Sequence, residues 1–160
     1  MRLVGNGSVV VLNPLTYQFP SGNNRWDANW VVIAGTATSP GGSWSFRDAA
    51  LTTFEAKHVS RWLRSVAQGT VDVVSPDDEG FLSPTLTFTE PNLAFSVAGR
   101  TQDSVELRVH LSHEFAPTWL DIDERMNMWQ FFVTLAMQPS DLVEAAGVWD
   151  EDWRAFPERP

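Results

Sequence analysis

The chain contains no cysteine, which excludes disulfide staples and thiolate chemistry and suits a reducing compartment. It lacks a long apolar run. Val9–Leu12 and Trp30–Ala34 fall far short of the roughly 20 residues that span a bilayer. The first residues, MRLVGNGSVVVLNPL, carry one Arg and an apolar segment broken by Gly, Asn and Pro, which makes a poor secretory signal. No internal repeat or low-complexity tract is present. Acids are scarce in one half only: residues 1–70 hold three against six bases, and residues 71–160 hold 17 against five, within a net charge of −9. The acidic half repels phosphate backbones and anionic lipid and speeds encounter with a basic partner. The same acids also keep a domain soluble.

What is present is apolar and aromatic. With 160 residues, 43% of them hydrophobic, eight Trp and ten Phe, the chain has material for one domain, residues 1–160, with a sizeable core. The strongest pattern lies in Phe81–Glu114. Leu93, Phe95 and Val97 alternate in one run, and Val105, Leu107, Val109 and Leu111 in the next. Period-two spacing predicts a hairpin with those residues inward and Glu106, Arg108, His110 and Ser112 on the other face.

Around it the chain reads in order. Residues 8–12 form a short strand ended by Asn13-Pro14, and 20–24 is a loop dense in turn formers. Trp30–Ala34 is apolar on both faces, as in a central strand, and Pro40-Gly41-Gly42 turns it into a partner ending near Leu51. Thr52-Thr53-Phe54-Glu55 has capping-box spacing, Val59, Trp62, Leu63 and Val66 follow as a helical stripe, and Gly69 stops the helix. Thr70–Val74 reads as a short strand, Ala116–Arg125 as a loop, and Met128–Met137 as a strand with Trp129, Phe131, Val133, Leu135 and Met137 on one face. A last helix opens with Ser140 as N-cap and buries Leu142, Ala146, Trp149, Trp153 and Phe156 before Pro157. The order β-β-β-α-β-β-β-β-α predicts an α+β fold, a mainly antiparallel sheet of about seven strands, open to a sandwich-like arrangement, with two packed amphipathic helices.

Reactive constellations are thin. His110-Leu111-Ser112-His113-Glu114 could supply a hydrolase, but strand geometry puts His110 and His113 on opposite faces roughly 10 Å apart, too far to share a zinc ion. Asp121-Ile122-Asp123-Glu124 offers oxygen ligands without the turn Gly and twelfth-position Glu of a calcium loop. Gly5-Asn6-Gly7 lacks the third Gly and the Lys-Ser/Thr ending of a phosphate loop. Trp62, Trp129, Trp149 and Trp153 fall on buried stripes. Trp26 and Trp119 fall in loops and remain free for recognition of a small ligand or carbohydrate. The residues predict no metal, cofactor or catalytic site.

The blocks GSWSFRDAALTTFEAKHVSRWLRSVAQG and LTFTEPNLAFSVAG, the Pro117-Thr118-Trp119 loop and the ending Phe156-Pro157-Glu158-Arg159 resemble a bacterial family of uncharacterised proteins over about residues 28–159. Through Glu90-Pro91-Asn92-Leu93 and the order of the chain, the sequence is also similar to the WapI-type immunity proteins, which neutralise a contact-delivered toxin. The matched Trp44, Glu55, Trp62, Leu63 and Phe95 are accounted for by packing and capping. Neither resemblance brings catalytic residues. It implies a non-catalytic cytoplasmic binding protein, with no nucleic-acid or membrane partner. Its acidic loop (Asp121, Asp123, Glu124, beside Trp119) and last helix (Asp150, Glu151, Asp152) would face a basic toxin domain.

Overall fold

The computed structural model describes residues 1–22 and 24–160; of the turn-rich loop expected at 20–24, Asn23 lies outside the described residues. Two four-stranded antiparallel sheets make up an α+β architecture. The first runs in chain order through β1 (Arg2–Gly5), β2 (Ser8–Tyr17), β3 (Trp30–Ser39) and β4 (Gly42–Thr52). The second runs through β5 (Leu86–Thr87), β6 (Leu93–Arg100), β7 (Val105–Leu111) and β8 (Phe132–Met137). Four helices accompany them: α1 (Arg25–Asn29), α2 (Thr53–Ala67), α3 (Ile122–Met126) and α4 (Pro139–Trp153). A 3-10 turn spans His113–Phe115. One continuous core draws on both sheets and on α2 and α4, with Leu12, Ile33, Leu63, Phe95, Leu135 and Trp149 among its members.

Local chemistry explains most of these elements. Asn6 and Gly7, at φ 51° and 73°, close a two-residue hairpin between Gly5 and Ser8, the left-handed pair that suits strand twist. The predicted strand at 8–12 therefore has a partner before it and does not stop at Asn13-Pro14. Pairing with β1 reaches only Val11, so Pro14 sits where one side of β2 is already an edge, and a register shift between Pro14 and Thr16 absorbs it. β3 is internal in its sheet, between β2 and β4, but it is not covered on both faces as its apolar run predicts: Val31 and Ile33 are buried, while Trp30, Val32 and Ala34 are half-buried. The two sheets touch where β1 meets β8: a Cβ on Gly5 would lie 2.2 Å from the Ala136 carbonyl oxygen.

The α2 start follows its sequence closely. Thr52 Oγ1 accepts the Glu55 N–H at 3.3 Å, and Glu55 Oε2 accepts the Thr52 N–H at 2.9 Å. The other carboxylate oxygen accepts from both the N–H and the hydroxyl of Thr89 at 2.8 Å, tying α2 to the Glu90-Pro91-Asn92-Leu93 block. Val59, Trp62, Leu63 and Val66 are buried, and Gly69 ends the helix at φ 78°. α4 packs against α2, with Trp149 Nε1 donating to the Ala56 carbonyl at 2.8 Å.

Several expectations are corrected. Thr70–Val74 makes only an isolated bridge, Val73 to Val97, because its neighbours find no ladder. α4 is capped by Gln138 rather than Ser140: Pro139 takes the first helical position, where its missing N–H costs nothing, and the Asp141 carboxylate accepts the Gln138 N–H. α4 also stops at Trp153, so Phe156 packs on Tyr17 and Trp153 from a following turn. β8 begins at Phe132, leaving Trp129 half-buried and outside it. The polar face of the β6–β7 hairpin is not solvated throughout, since His110 and Ser112 are covered by residues 127–131.

Candidate functional site

The 20 residues from Ser112 to Phe131 join β7 to β8. The segment is anchored at its start by Phe115, which is buried and stacks on Phe46 at 4.4 Å, while Trp44 Nε1 donates to the Phe115 carbonyl at 2.9 Å. Trp119 then stands edge-on to Trp44 at 5.3 Å and over Gly42, where a Cβ would come within 3.1 Å of the indole. Next comes α3, where sequence reading expects a loop. Its start is a reciprocal box: Asp121 Oδ1 accepts the Glu124 N–H at 2.8 Å, and Glu124 Oε2 accepts the Asp121 N–H at 3.1 Å.

Nothing on α3 is buried. Ile122 and Met126, four residues apart on one helical face, are 64% and 53% exposed, and Trp119 and Met128 flank them at 49% and 41%. Single exposed apolar residues are ordinary, whereas several close in sequence on a short helix make a candidate contact surface. Asp121, Asp123 and Glu124 are exposed beside them, and none of the four ion pairs among the described residues involves these acids. Arg125 turns back instead, with Nη2 donating to the His113 carbonyl at 3.3 Å. The segment is also under internal tension. His113 and Trp129 have φ of 53° and 69°, a region that bulky residues rarely occupy. Side-chain nitrogens of His113, Arg125 and Trp129 are buried and have no hydrogen-bond partner among the described residues. Such local violations concentrate at functional surfaces.

The structure thus gathers Trp119, Asp121, Asp123 and Glu124 and adds Ile122, Met126 and Met128, which sequence reading missed. The Asp121-to-Glu124 spacing is itself a capping-box signature and would have placed Ile122 and Met126 on one face. The acids of the last helix are in a different situation. Asp150 pairs with Arg64 at 2.6 Å, Glu151 with Arg154 at 2.6 Å, and Asp152 with the Met1 amino group at 2.7 Å. α4 lies against α2, β1 and β2, whereas α3 lies against the 3-10 turn.

The other candidates fare differently from their sequence expectations. Trp26 is on α1, not in a loop, and packs edge-on to Phe54 at 4.9 Å, just beyond the end of β4 opposite to Trp119. Eight residues of extended strand between Trp44 and Thr52 separate these contacts by roughly 25 Å, so the two indoles cannot form one stacking platform. In the hydrolase candidate, His110 Nε2 meets Ser96 Oγ at 2.8 Å and Nδ1 meets the Trp129 carbonyl at 2.5 Å. Ser112 Oγ accepts the Trp129 N–H at 2.8 Å. Burial pushes the imidazole down to about 4, opposed by its bond to Trp129 and assisted by the positive charge of Arg108. Both ring nitrogens are occupied within the framework. No group of three or more His, Asp or Glu suited to a metal ion occurs among the described residues, and no helix is long and apolar enough to cross a membrane.

Comparison with known families decides the assignment. Residues 2–157 match the immunity protein WapI-like family. The chain belongs to that family. The match takes in both sheets and all four helices, so the resemblance first legible at Glu90-Pro91-Asn92-Leu93 extends to the amino-terminal hairpin. Searches of curated proteins and of solved structures found no match.

Proposed function

We propose that the protein acts in the cytoplasm as an immunity protein that binds a toxin domain and blocks it without chemistry of its own. Membership of the WapI-like family supports toxin immunity. The observation that carries the choice of surface is α3, a helix with no buried residue whose outward side combines Ile122 and Met126 with three carboxylates free of ion pairs. An apolar centre rimmed by charge is the usual anatomy of a protein interface, and its negative sign fits a basic partner. The paired acids of α4 are secondary in this reading, because Arg64, Arg154 and the Met1 amino group already meet them.

The test is titration calorimetry against the carboxyl-terminal domain of a contact-delivered toxin of the WapI type. Tight binding is expected, with Ile122→Asp and Trp119→Ala each weakening it by about tenfold or more, as truncation of an interface anchor does. Parent-like affinity in both variants would move the interface elsewhere, and no binding by the parent would remove the reading.

A further inference from the structure

The candidate interface leaves two buried polar residues without a role, His110 in β7 and Ser112 just after it, and their geometry supplies one. Trp129 sits at φ 69° at the point where the α3 segment turns into β8, a conformation that a bulky residue abandons unless its surroundings over-determine it. Both of its backbone polar groups are held by side chains of the same neighbouring stretch. Its N–H donates to Ser112 Oγ at 2.8 Å, and its carbonyl faces His110 Nδ1 at 2.5 Å. Ser96 Oγ, at 2.8 Å from His110 Nε2, completes the arrangement: the serine hydroxyl donates to one ring nitrogen, which leaves the proton on the other, aimed at Trp129. The Phe132 ring lies 5.5 Å from the imidazole. His110 is 0% exposed and Ser112 1%, so neither can touch a partner.

We propose, building on the assignment of α3 as the recognition element, that His110 and Ser112 are positioning residues for partner binding. Two side chains at the end of β7, one in the strand and one just after it, grip the N–H and the carbonyl of Trp129 and so fix how Trp119, Ile122, Met126 and Met128 are presented. The Gln130 N–H also donates to the Asn127 carbonyl at 3.2 Å, closing a backbone turn around Trp129, and Gln130 pairs with the Leu82 N–H and carbonyl at 2.9 and 3.2 Å; His110 and Ser112 add a grip on the peptide groups of Trp129 itself. A neutral imidazole can accept from Ser96 and donate to Trp129 at once, and the lowered His110 pKa keeps it in that form at neutral pH. Holding a binding segment in its bound shape raises affinity by removing the ordering cost of association.

The experiment compares Ser112→Ala, Ser112→Thr and Ser96→Ala with the parent in two readouts, affinity for the WapI-type toxin domain and amide hydrogen exchange. Val59→Ala, on the buried face of α2, serves as a destabilised control outside the segment. Ser112→Ala is expected to speed exchange over residues 126–131 and to weaken binding about tenfold, with Ser112→Thr restoring both. Ser96→Ala, which frees the imidazole, is expected to fall between. Val59→Ala is expected to lower the unfolding midpoint and leave affinity unchanged, a contrast that a purely structural role for Ser112 would not produce. Unchanged affinity in Ser112→Ala, while Ile122→Asp still weakens binding, overturns the clamp alone. Unchanged affinity in both overturns the clamp together with the surface it serves.

Discussion

Asn29 is sealed in the interior, and each end of its carboxamide is used twice. Nδ2 donates to the carbonyls of Arg25 and Arg159 at 2.7 and 2.9 Å, and Oδ1 accepts from the Thr53 hydroxyl and the Arg159 N–H at 2.6 and 2.9 Å. The Phe156-Pro157-Glu158-Arg159 block is thereby latched to α1, with the Arg159 guanidinium 3.3 Å above the Tyr17 ring. Asn29→Ala leaves several buried groups unpaired and is expected to lower stability by roughly 2–4 kcal/mol, readable as a shift of the urea midpoint. His110 gives a pH signature. Its folded pKa, about 4, lies below the ordinary 6.5, so between those values the unfolded chain binds a proton that the folded one refuses. The contribution is full above pH 6.5 and is lost as pH falls towards 4, amounting to roughly 3 kcal/mol over the window. Between pH 7 and 5 the parent is expected to lose about 2 kcal/mol more than His110→Leu. Equal slopes in urea titrations of the two would show that His110 is not the responsible group.

Elements differ in how openly the sequence announces them. α2 was legible in full, because Thr52, Glu55, the Val59-to-Val66 stripe and Gly69 all act within one helix and depend on nothing remote. The β6–β7 hairpin was legible as a ladder but not in its surroundings. Alternation records which residues share a face, not what later folds over it, so the burial of His110 and Ser112 beneath residues 127–131 was out of reach. α3 has no buried side and so no apolar periodicity to read, and its only sequence signal is the Asp121-to-Glu124 capping-box spacing. β2 was cut short at Pro14, since the place where β1 stops pairing is a property of the pair and not of the proline. The junction of the sheets is equally tertiary. Gly5→Ala would push a methyl into the Ala136 backbone, and a loss of roughly 1–3 kcal/mol is expected from such overpacking. Gly147→Ala, where an added Cβ meets nothing within 4 Å, is expected to be neutral or stabilising in the same thermal melts, since alanine favours a helix interior.

For the molecule as a whole, charge separates steering from structure. Asp123→Lys is expected to slow association with the toxin domain about tenfold at low ionic strength, with the difference shrinking as salt rises. Neutralising Asp150, already 2.6 Å from Arg64, is expected to change that rate less; stopped-flow traces at two salt concentrations compare the two. The amino-acid sequence by itself determined the α+β class, the framework role of most aromatic residues, α2, the principal hairpin and the uneven distribution of acids, because each follows from local spacing or from counting. Only the tertiary structure decided which acids are engaged in ion pairs and which are exposed on or beside α3 without one. It also decided that Trp26 and Trp119 are apart and that His110 and Ser112 hold a backbone turn. Those outcomes depend on which distant segments meet, and pattern within a segment carries no record of its neighbours.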